Sequence, residues 1–403
     1  MFGVFTRLVG QQAVESELLA AAIAARGPGS LGTAGAAGMT HAWLVTGPPG
    51  SGRSVAALCF AAALQCTNPQ APGCGQCRSC TTTMAGTHPD IRRVIPEGLS
   101  IGVDEMRAIV AGATRRPSIG RWQVVLVEDA DRLTEGAANA LLKVVEEPPP
   151  STVFLLCAPS VDPEDIAITL RSRCRHIALT TPTSAAIAEV LMVSDGLDEQ
   201  RARWAAGVSG GHVGRARRLA TDSDARDRRA RALGLAREAT VATRAYAAAE
   251  ELVAAAEAEA RGVTAARNEI EEAELRTALG AGGTGKGAVG ALRGSAGALK
   301  ELERRQKSRH TRASRDALDR ALIDLASFFR DALVSGKAAG VAPYHPDMAD
   351  QIAGLSAHAS PAQLLRCIEA VLACREALAR NVKPKFAIDA LVATVGQQLR
   401  PSR

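Results

Sequence analysis

Aromatic residues are scarce in this sequence, since phenylalanine, tyrosine and tryptophan together make up 3% of its 403 residues. Proteins that bind single-stranded nucleic acid stack bases on aromatic rings, so that class of protein is disfavoured. No apolar run reaches the length of about 18 residues that a membrane-spanning helix needs. Residues 1–10 also lack the charged and then apolar pattern of a secretion signal. We therefore expect no membrane contact and a cytoplasmic protein.

A strong excess of charge is missing as well. The net charge is +6 and the pI is about 9.0, which is modest for a chain of this length. Such a balance permits contact with nucleic acid, but it is equally typical of a slightly basic solvated surface. The length is sufficient for two or three domains with cores of ordinary size.

The glycine-rich stretch from His41 to Ser54 lacks the lysine of a complete phosphate-binding loop. Its spacing follows the pattern G-x4-G-K-S/T, but Arg53 stands at the lysine position. Glycines let backbone N–H groups converge on phosphate oxygens, whereas the wide guanidinium of arginine does not replace a compact ammonium. We predict a nucleotide-phosphate cradle with altered charge, and the alternative is a turn that only joins a strand to a helix. The cradle residues are Gly47, Gly50, Gly52, Arg53 and Ser54.

Apolar, strand-like runs alternate with helical patterns from the phosphate loop to Leu179. The strand-like runs cover residues 42–45, 90–95, 124–127, 153–157 and 176–179. The helical patterns between them cover residues 55–64, 103–113 and 134–145. This order predicts an α/β domain with a parallel sheet covered on both faces. In such sheets ligands bind at the carboxyl ends of the strands, where the phosphate loop would lie.

Four of the nine cysteines are grouped closely enough to bind one metal ion. Cys66, Cys74, Cys77 and Cys80 lie within fifteen positions, and proline and glycine residues between them supply turns. Four thiolates at this spacing predict a closed, structural zinc site rather than a catalytic one. An iron–sulfur cluster is the competing interpretation, although the cysteine–proline step that is typical of it is missing. The remaining cysteines lie in apolar patterns and are interpreted as packing residues.

Acidic residues end one predicted strand, and arginines precede another. Glu128 and Asp129 follow residues 123–127, at the place where a nucleotidase binds Mg²⁺ and orients water, but the expected Asp-then-Glu order is reversed. The alternative is a pair of exposed carboxylates at a strand end. Arg173, in the run 170–174, precedes the last strand of the sheet. An arginine at a subunit boundary can stabilise charge on a neighbour's phosphate, but taken alone it is more often a surface ion-pair partner.

The second half of the chain is predicted to be helical. A small helical segment covers residues 182–219, a long polar helix residues 225–276 and a second charged helix residues 298–333, with two amphipathic helices at 361–380 and 385–398. Two glycine-rich tracts, 27–38 and 280–297, are interpreted as a flexible insertion and a flexible tip. The two long helices on either side of the second tract suggest a helical hairpin or a projecting arm.

Four sequence runs, together with the cysteine group, resemble a known family. They are THPDIRRVIP (residues 87–96), GVDEMRAI (102–109), ANALLKVVEEPPP (138–150) and LRSRC (170–174). The combination is similar to the bacterial DNA polymerase III clamp-loader subunits of the AAA+ ATPases, and most similar to the delta-prime branch. The resemblance covers roughly residues 1–220, and residues 381–391 are similar to the family's C-terminal collar. Residues 225–340 match poorly.

The resemblance implies three domains and a set of partners. The domains would be an AAA+ P-loop-like domain at 1–180 with the zinc module, a helical lid at 181–222, and an all-α collar at 223–403 with an arm at about 240–315. The implied partners are gamma or tau and delta subunits in a hetero-pentamer, with the sliding clamp and primed DNA reached through the complex. Arg173 would be an arginine finger that acts in trans on a neighbour's ATP site. The four grouped cysteines fall on the family's zinc module.

Departures from the family pattern separate motor from non-motor subunits. Motor subunits have lysine at the position of Arg53, an Asp-Glu pair, a threonine after the fourth strand and an arginine in the lid. This chain has Glu128-Asp129, Cys157-Ala158 and, in the lid, Gly214 instead. We therefore expect a stationary subunit that binds ATP weakly or not at all. The alternatives are an active ATPase motor of the same clamp loader and, with little support, a zinc-bearing nucleic-acid binder unrelated to clamp loading.

Overall fold

The computed structural model describes residues 3–27, 38–278, 288–337 and 340–400, with side chains left out for 288–296. These residues divide into two compact units, Met1–Ala220 and Thr221–Arg403. The predicted insertion at 27–38 lies almost wholly outside the described residues, as does the first half of the glycine-rich tract at 280–297. No helix in the described part of the chain combines the length and the apolar character that a membrane span requires.

The first unit is built on a five-stranded parallel sheet. Its strands are β1 (Ala42–Thr46), β2 (Ile91–Val94), β3 (Gln123–Val127), β4 (Thr152–Ala158) and β5 (Arg175–Ala178). Their spatial order is β2-β3-β4-β1-β5, and every neighbouring pair is parallel. Strands β1 and β4 are buried along their whole length, as expected for a sheet covered on both faces. The predicted α/β class with a parallel sheet is confirmed.

Helices cover both faces of this sheet. The helices of this unit are α1 (Gln12–Ala24), α2 (Arg53–Gln65), α3 (Arg78–Met84), α4 (Val103–Ala113), α5 (Glu135–Glu146), α6 (Ile168–Arg171), α7 (Ser184–Val193), α8 (Glu199–Gly207) and α9 (Val213–Thr221), and those that cover the sheet are α1 and α2 on one face and α4 and α5 on the other. Alternate residues of β4 enter different cores, because successive strand side chains point to opposite faces. Leu155 packs with residues of α1 and α2, whereas Leu156 packs with residues of α4 and α5.

One buried carboxylate fixes the loop that leads into β3. Asp90 is 2% exposed and accepts four hydrogen bonds: from the N–H and the hydroxyl of Ser118, both at 2.6 Å, and from the N–H groups of Ile119 at 2.9 Å and Gly120 at 2.6 Å. Burial raises the pKa of Asp90, but these hydrogen bonds outweigh it and hold the pKa below its usual value. The loop is thereby held in one conformation.

All regular secondary structure among the described residues of the second unit is helical. Its α-helices are α10 (Ser223–Glu238), α11 (Ala242–Ala278), α12 (Ala288–Ser335), α13 (Ala349–His358), α14 (Pro361–Ala379) and α15 (Pro384–Leu399). The prediction of one long helix over 225–276 was wrong, because the chain breaks between α10 and α11. Ala239 is fully buried at that break, and its carbonyl oxygen lies so close to Gly396 that a Cβ there would collide with it.

The second charged helix is longer than predicted. Helix α12 begins at Ala288 rather than at 298, and it ends at Ser335. Gly290, Gly294 and Gly297 lie within this helix, since a glycine costs a helix only about 1 kcal/mol relative to alanine and no proline interrupts the helix.

A buried polar network lies within the second unit. His345, 1% exposed, contacts Arg229 Nη2 through Nδ1 at 2.8 Å and the Asp324 carbonyl through Nε2 at 3.1 Å. Its backbone N–H donates to Asp331 at 2.8 Å, and Arg229 forms an ion pair with Asp347 at 2.7 Å. Burial, and then the charge of Arg229, lower the pKa of His345, so the neutral imidazole is favoured.

Candidate functional site

The phosphate loop has the backbone that the sequence predicts. Strand β1 ends at Thr46, residues 47–52 form the loop, and α2 begins at Arg53. Gly50 and Gly52 have φ angles of +85° and +98°, in the left-handed region that favours glycine. The start of α2 offers the unpaired N–H groups and the positive dipole end that favour an anion. Ser54, the second residue of this helix, is half-buried.

A histidine from the helical segment after β5 lies against this loop. A Cβ added at Gly50 would collide with the Cα, Cβ and Cγ atoms of His212. The Nδ1 atom of His212 accepts a hydrogen bond from the N–H of Arg215 at 3.2 Å, so the same imidazole caps the start of α9. Position 50 therefore requires glycine for two reasons: His212 leaves no room for a Cβ, and the φ angle of Gly50 is positive. His212 was not predicted from the sequence. The feature that could have indicated it is its position directly after Gly210 and Gly211 and directly before a helix.

Arg53, at the position of the missing lysine, turns back onto its own loop. Its Nη1 donates a hydrogen bond to the carbonyl oxygen of Gly47 at 3.0 Å. A guanidinium bound in this way directs part of its donor capacity toward the protein instead of toward a ligand. Gly47 in turn donates its N–H to the carbonyl of Pro159 at 3.2 Å, just beyond β4.

The strand-end acid Glu128 is also engaged with a protein partner. Its Oε1 accepts from Arg93 of β2, at 2.9 Å from Nε and 2.5 Å from Nη2. The Glu128 side chain is 15% exposed, so this two-pronged pair is largely shielded from water. Strand β2 lies beside β3 with Val94 opposite Val127, which brings Arg93 within reach of the residue that follows β3. A carboxylate neutralised in this way is a poor ligand for Mg²⁺.

A further acidic residue, Asp131, interacts electrostatically with Asp129 and Arg53. It lies in the 3-10 turn Ala130–Arg132 that follows Asp129. Burial raises the pKa of Asp131, the charge of Asp129 raises it further, and Arg132 and Arg53 oppose this rise. Its Oδ1 is buried and has no hydrogen-bond partner among the described residues. The sequence analysis missed Asp131 because it stands beyond the two positions that a nucleotidase uses.

Two other positions of interest are apolar or small. Cys157 and Ala158 end β4 and are fully buried, and burial raises the pKa of the Cys157 thiol above its usual value. Gly214 lies in the first turn of α9. Neither Cys157 nor Gly214 offers the polar or charged side chain that would contact a nucleotide phosphate there.

Arg173 lies elsewhere on the first unit, between α6 and β5. Its Nη2 forms an ion pair with Glu146 at 2.6 Å, and its Nη1 donates to the Thr169 carbonyl at 3.0 Å and to Ser172 Oγ at 3.1 Å. The side chains of Arg173 and Glu146 are 40% and 41% exposed. The guanidinium is therefore held in place and still open to solvent.

The four grouped cysteines converge as a metal site would require. Their sulfur atoms all lie within 4.8 Å of one another, and Cys66 Sγ is 3.8 Å from Cys77 Sγ. Tetrahedral zinc with Zn–S distances of about 2.3 Å places its sulfurs about 3.8 Å apart, so these residues fit a structural zinc ion. Cys66, Cys74, Cys77 and Cys80 would fill every ligand position and leave none for chemistry.

The surroundings favour the thiolate at Cys66 and Cys77, whereas burial raises the pKa of Cys80. Burial raises the pKa of Cys77, but hydrogen bonds from the Cys80 backbone and from Thr67 outweigh it and lower the pKa to about 6. Arg26 donates to the Cys66 carbonyl at 2.9 Å. The amino-terminal segment packs here too, since the N–H of Val4 donates to the Gly73 carbonyl at 2.9 Å. This cysteine module is an integral part of the first unit.

Similarity to known proteins is concentrated in the first unit. Residues 33–183 match the family described as DNA polymerase III, delta subunit. The delta-prime subunit of DNA polymerase III from Pseudomonas aeruginosa is 41% identical over 160 residues, which cover 39% of this chain and 48% of the relative. The corresponding Escherichia coli protein is 40% identical over 165 residues, with 39% and 49% covered. The chain thus spans about half the length of the curated delta-prime relatives it matches.

A tau subunit is also similar. The DNA polymerase III tau subunit of Bacillus subtilis is 35% identical over 167 residues, which cover 39% of this chain and 29% of the relative. The first unit is thus similar to polymerase III subunits of both names, and similarity alone does not separate the delta-prime type from the tau type. That distinction depends on the residues of the site.

Proposed function

We propose, because residues 33–183 match the family described as DNA polymerase III, delta subunit, and because delta-prime subunits are about 40% identical there, that this chain is a clamp-loader subunit that does not itself hydrolyse ATP. In this proposal it assembles with gamma or tau and delta subunits in a hetero-pentamer that places the sliding clamp on primed DNA. The division into domains at 1–180, 181–222 and 223–403 is part of the same proposal, as are the structural zinc ion and a cytoplasmic location.

The observation that carries the non-motor assignment is the bond from Arg53 to the Gly47 carbonyl. The backbone suits a phosphate group, but the side chain that should meet the outer phosphates is engaged within the loop. The pairing of Glu128 with Arg93 and the contact of His212 with Gly50 support the same conclusion. Each missing charged contact to a phosphate typically costs one to several kcal/mol of binding, so about 10-fold or more in affinity.

The second part of the proposal assigns Arg173 as a finger that acts in trans. Arg173 is exposed to solvent at the end of α6, and its resemblance to the Ser-Arg-Cys arginine of the family suggests contact with a neighbour's ATP. An arginine in that role contributes about 10³–10⁵-fold to turnover at the site it completes. This chain would then take part in ATP hydrolysis without performing it.

Replacement of Arg173 by alanine in the reconstituted complex tests this assignment. We expect Arg173→Ala to leave assembly intact, measured by size-exclusion chromatography, and to remove the share of ATP turnover that the adjoining site carries. Arg171→Ala is the matched control, since Arg171 is also an exposed arginine at the end of α6, and among the described residues its guanidinium donates only to the Val161 carbonyl at 3.3 Å. Unchanged turnover in Arg173→Ala would reject the finger role.

The alternative function, an active motor of the same clamp loader, is favoured by the similarity to a tau subunit. It requires Arg53 to serve in place of lysine. Steady ATP turnover by the purified chain alone, abolished by Gly52→Asp, would establish this alternative and reject the non-motor assignment.

A further inference from the structure

Glu146 fixes the guanidinium of Arg173 from one side. Its Oε1 lies 2.6 Å from Arg173 Nη2, while Nη1 donates to the Thr169 carbonyl and to Ser172 Oγ. Both terminal nitrogens are therefore anchored, one by a carboxylate and one by two neutral oxygens. No residue in the described part of the chain accepts a hydrogen bond from Arg173 Nε, so that edge of the guanidinium stays available.

The position of Glu146 follows from the length of α5. The helix begins after Thr134, whose side chain accepts from the N–H of Ala137, and it ends at Glu146. Glu147, Pro148 and Pro149 follow, and two prolines cannot continue a helix. The last residue of α5 is thus placed beside the short helix α6, against which α5 packs. The carboxylate reaches Arg173 from a rigid element rather than from a loop.

The ion pair between Glu146 and Arg173 contributes little to the stability of the fold. Both side chains are about two-fifths exposed, and ion pairs between exposed groups add little to the stability of a fold. Its main consequence is orientation, because a free arginine side chain samples many rotamers and must be ordered before it can bind a phosphate. A carboxylate that holds the side chain in advance removes that cost at the moment of contact.

We propose that Glu146 is a positioning residue for Arg173: it orders the guanidinium in the free subunit so that the remaining N–H groups meet the phosphates of a neighbour's nucleotide. This inference rests on the proposed finger role of Arg173. It adds a residue on a different helix, Glu146, to the part of this chain that completes a partner's ATP site.

The test compares three variants in the reconstituted complex with its natural partner subunits, clamp and primed DNA. Glu146→Ala should lower the kcat for ATP about three- to tenfold, the cost of ordering one flexible side chain, with little change in KM. Glu146→Gln keeps an acceptor oxygen and should retain most of the turnover. Glu147→Ala removes the same charge one residue further on, where no contact to Arg173 exists, and should behave as the wild type.

A double-mutant cycle separates this inference from the finger role itself. When Arg173 is already alanine, adding Glu146→Ala should cause no further loss, because Glu146 acts only through Arg173. If Arg173→Ala has no effect, the finger role fails. If Arg173→Ala lowers turnover and Glu146→Ala matches the wild type, the finger role stands and the positioning role is rejected.

Two other results would also overturn the positioning role. Increased turnover in Glu146→Ala would mean that the carboxylate restrains Arg173 instead of presenting it. An equal loss in the presence and absence of Arg173 would mean that Glu146 acts elsewhere. Circular dichroism and size-exclusion chromatography on each variant establish that the fold and the assembly are intact.

Discussion

Replacement of Asp90 by asparagine should destabilise the first unit strongly although it removes only one charge. The carboxylate accepts hydrogen bonds from Ser118, Ile119 and Gly120, and it is 2% exposed. An amide keeps one oxygen and turns an NH₂ group toward the other donors. If that group faces Ser118, the hydroxyl can rotate to accept, but the Ser118 N–H loses its partner.

The expected cost follows from these contacts. One or two hydrogen bonds to a charged group are lost, each contributing about 1.5–3 kcal/mol, and a buried N–H is left without an acceptor. We therefore expect Asp90→Asn to lower the free energy of unfolding by about 2–5 kcal/mol. Asp104→Asn is the control, because Asp104 is exposed, pairs with Arg107 one helical turn away and lies in the first turn of α4. Its loss in free energy of unfolding should not exceed about 1 kcal/mol, the contribution of an exposed ion pair and of a carboxylate near a helix N-terminus.

Tryptophan fluorescence measures this unit selectively during denaturation. All three tryptophans, Trp43, Trp122 and Trp204, lie in the first unit, and Trp122 directly follows the loop that Asp90 holds. Urea titrations monitored by fluorescence at pH 7 therefore compare the variants without interference from the second unit. A loss below about 0.5 kcal/mol would refute the assignment of Asp90 as the residue that fixes this loop.

The pH dependence provides an internal check on the same prediction. The folded-state pKa of Asp90 is lowered, so its contribution is present above the unfolded value of about 3.9 and is lost as pH falls through the folded pKa. The difference in free energy of unfolding between wild type and Asp90→Asn should therefore become smaller below about pH 4. A constant difference down to pH 2 would contradict this account.

Three further predictions concern the metal site, the second unit and the phosphate loop. Zinc content, measured by mass spectrometry of the purified chain, should fall from about one ion per chain to near zero in Cys77→Ser, whereas Cys367→Ala should retain it. Retention of the ion by Cys77→Ser would exclude that ligand set. The second unit should lose helical stability as pH falls below about 6.5, because the lowered pKa of His345 disfavours protonation in the fold. Circular dichroism should detect this loss of helix, while tryptophan fluorescence, which reports on the first unit, should not change. His345→Asn should abolish the pH dependence, and His358→Asn, at an exposed histidine, should preserve it. A pH dependence that persists in His345→Asn would refute the assignment of this effect to His345. Arg53→Lys alone should not create ATP binding, because Glu128 remains paired with Arg93. Micromolar affinity for ATP in that variant, measured by calorimetry, would show that the residue at position 53 alone determines whether ATP binds.

Local patterns in the sequence were sufficient to predict much of the first unit. The five strands, the glycine loop and the helix predicted at 134–145 each depend on neighbouring residues, and the structure has all of them. The four cysteines could be predicted as one metal site for the same reason. They lie within fifteen positions, and turns in the short segments between them are enough to bring their sulfur atoms together. Short-range features of this kind do not depend on how distant segments pack.

Long-range contacts account for what the sequence could not predict. The pairing of Arg93 with Glu128 depends on β2 lying beside β3, and the approach of His212 to Gly50 joins residues far apart in the chain. The helix break near Ala239 is accompanied by another such contact, the close approach of the Ala239 carbonyl to Gly396. The position of Glu146 beside Arg173 likewise required the packing of α5 against α6.

The central claim is that the phosphate loop keeps its backbone while its charged side chains are engaged within the protein. Equilibrium binding of Mg²⁺–ATP to the purified chain, with ATP turnover measured on the same sample, tests it most directly. The account predicts no saturable binding in the micromolar range and no turnover above background. Micromolar binding accompanied by hydrolysis, both lost in Gly52→Asp, would contradict it.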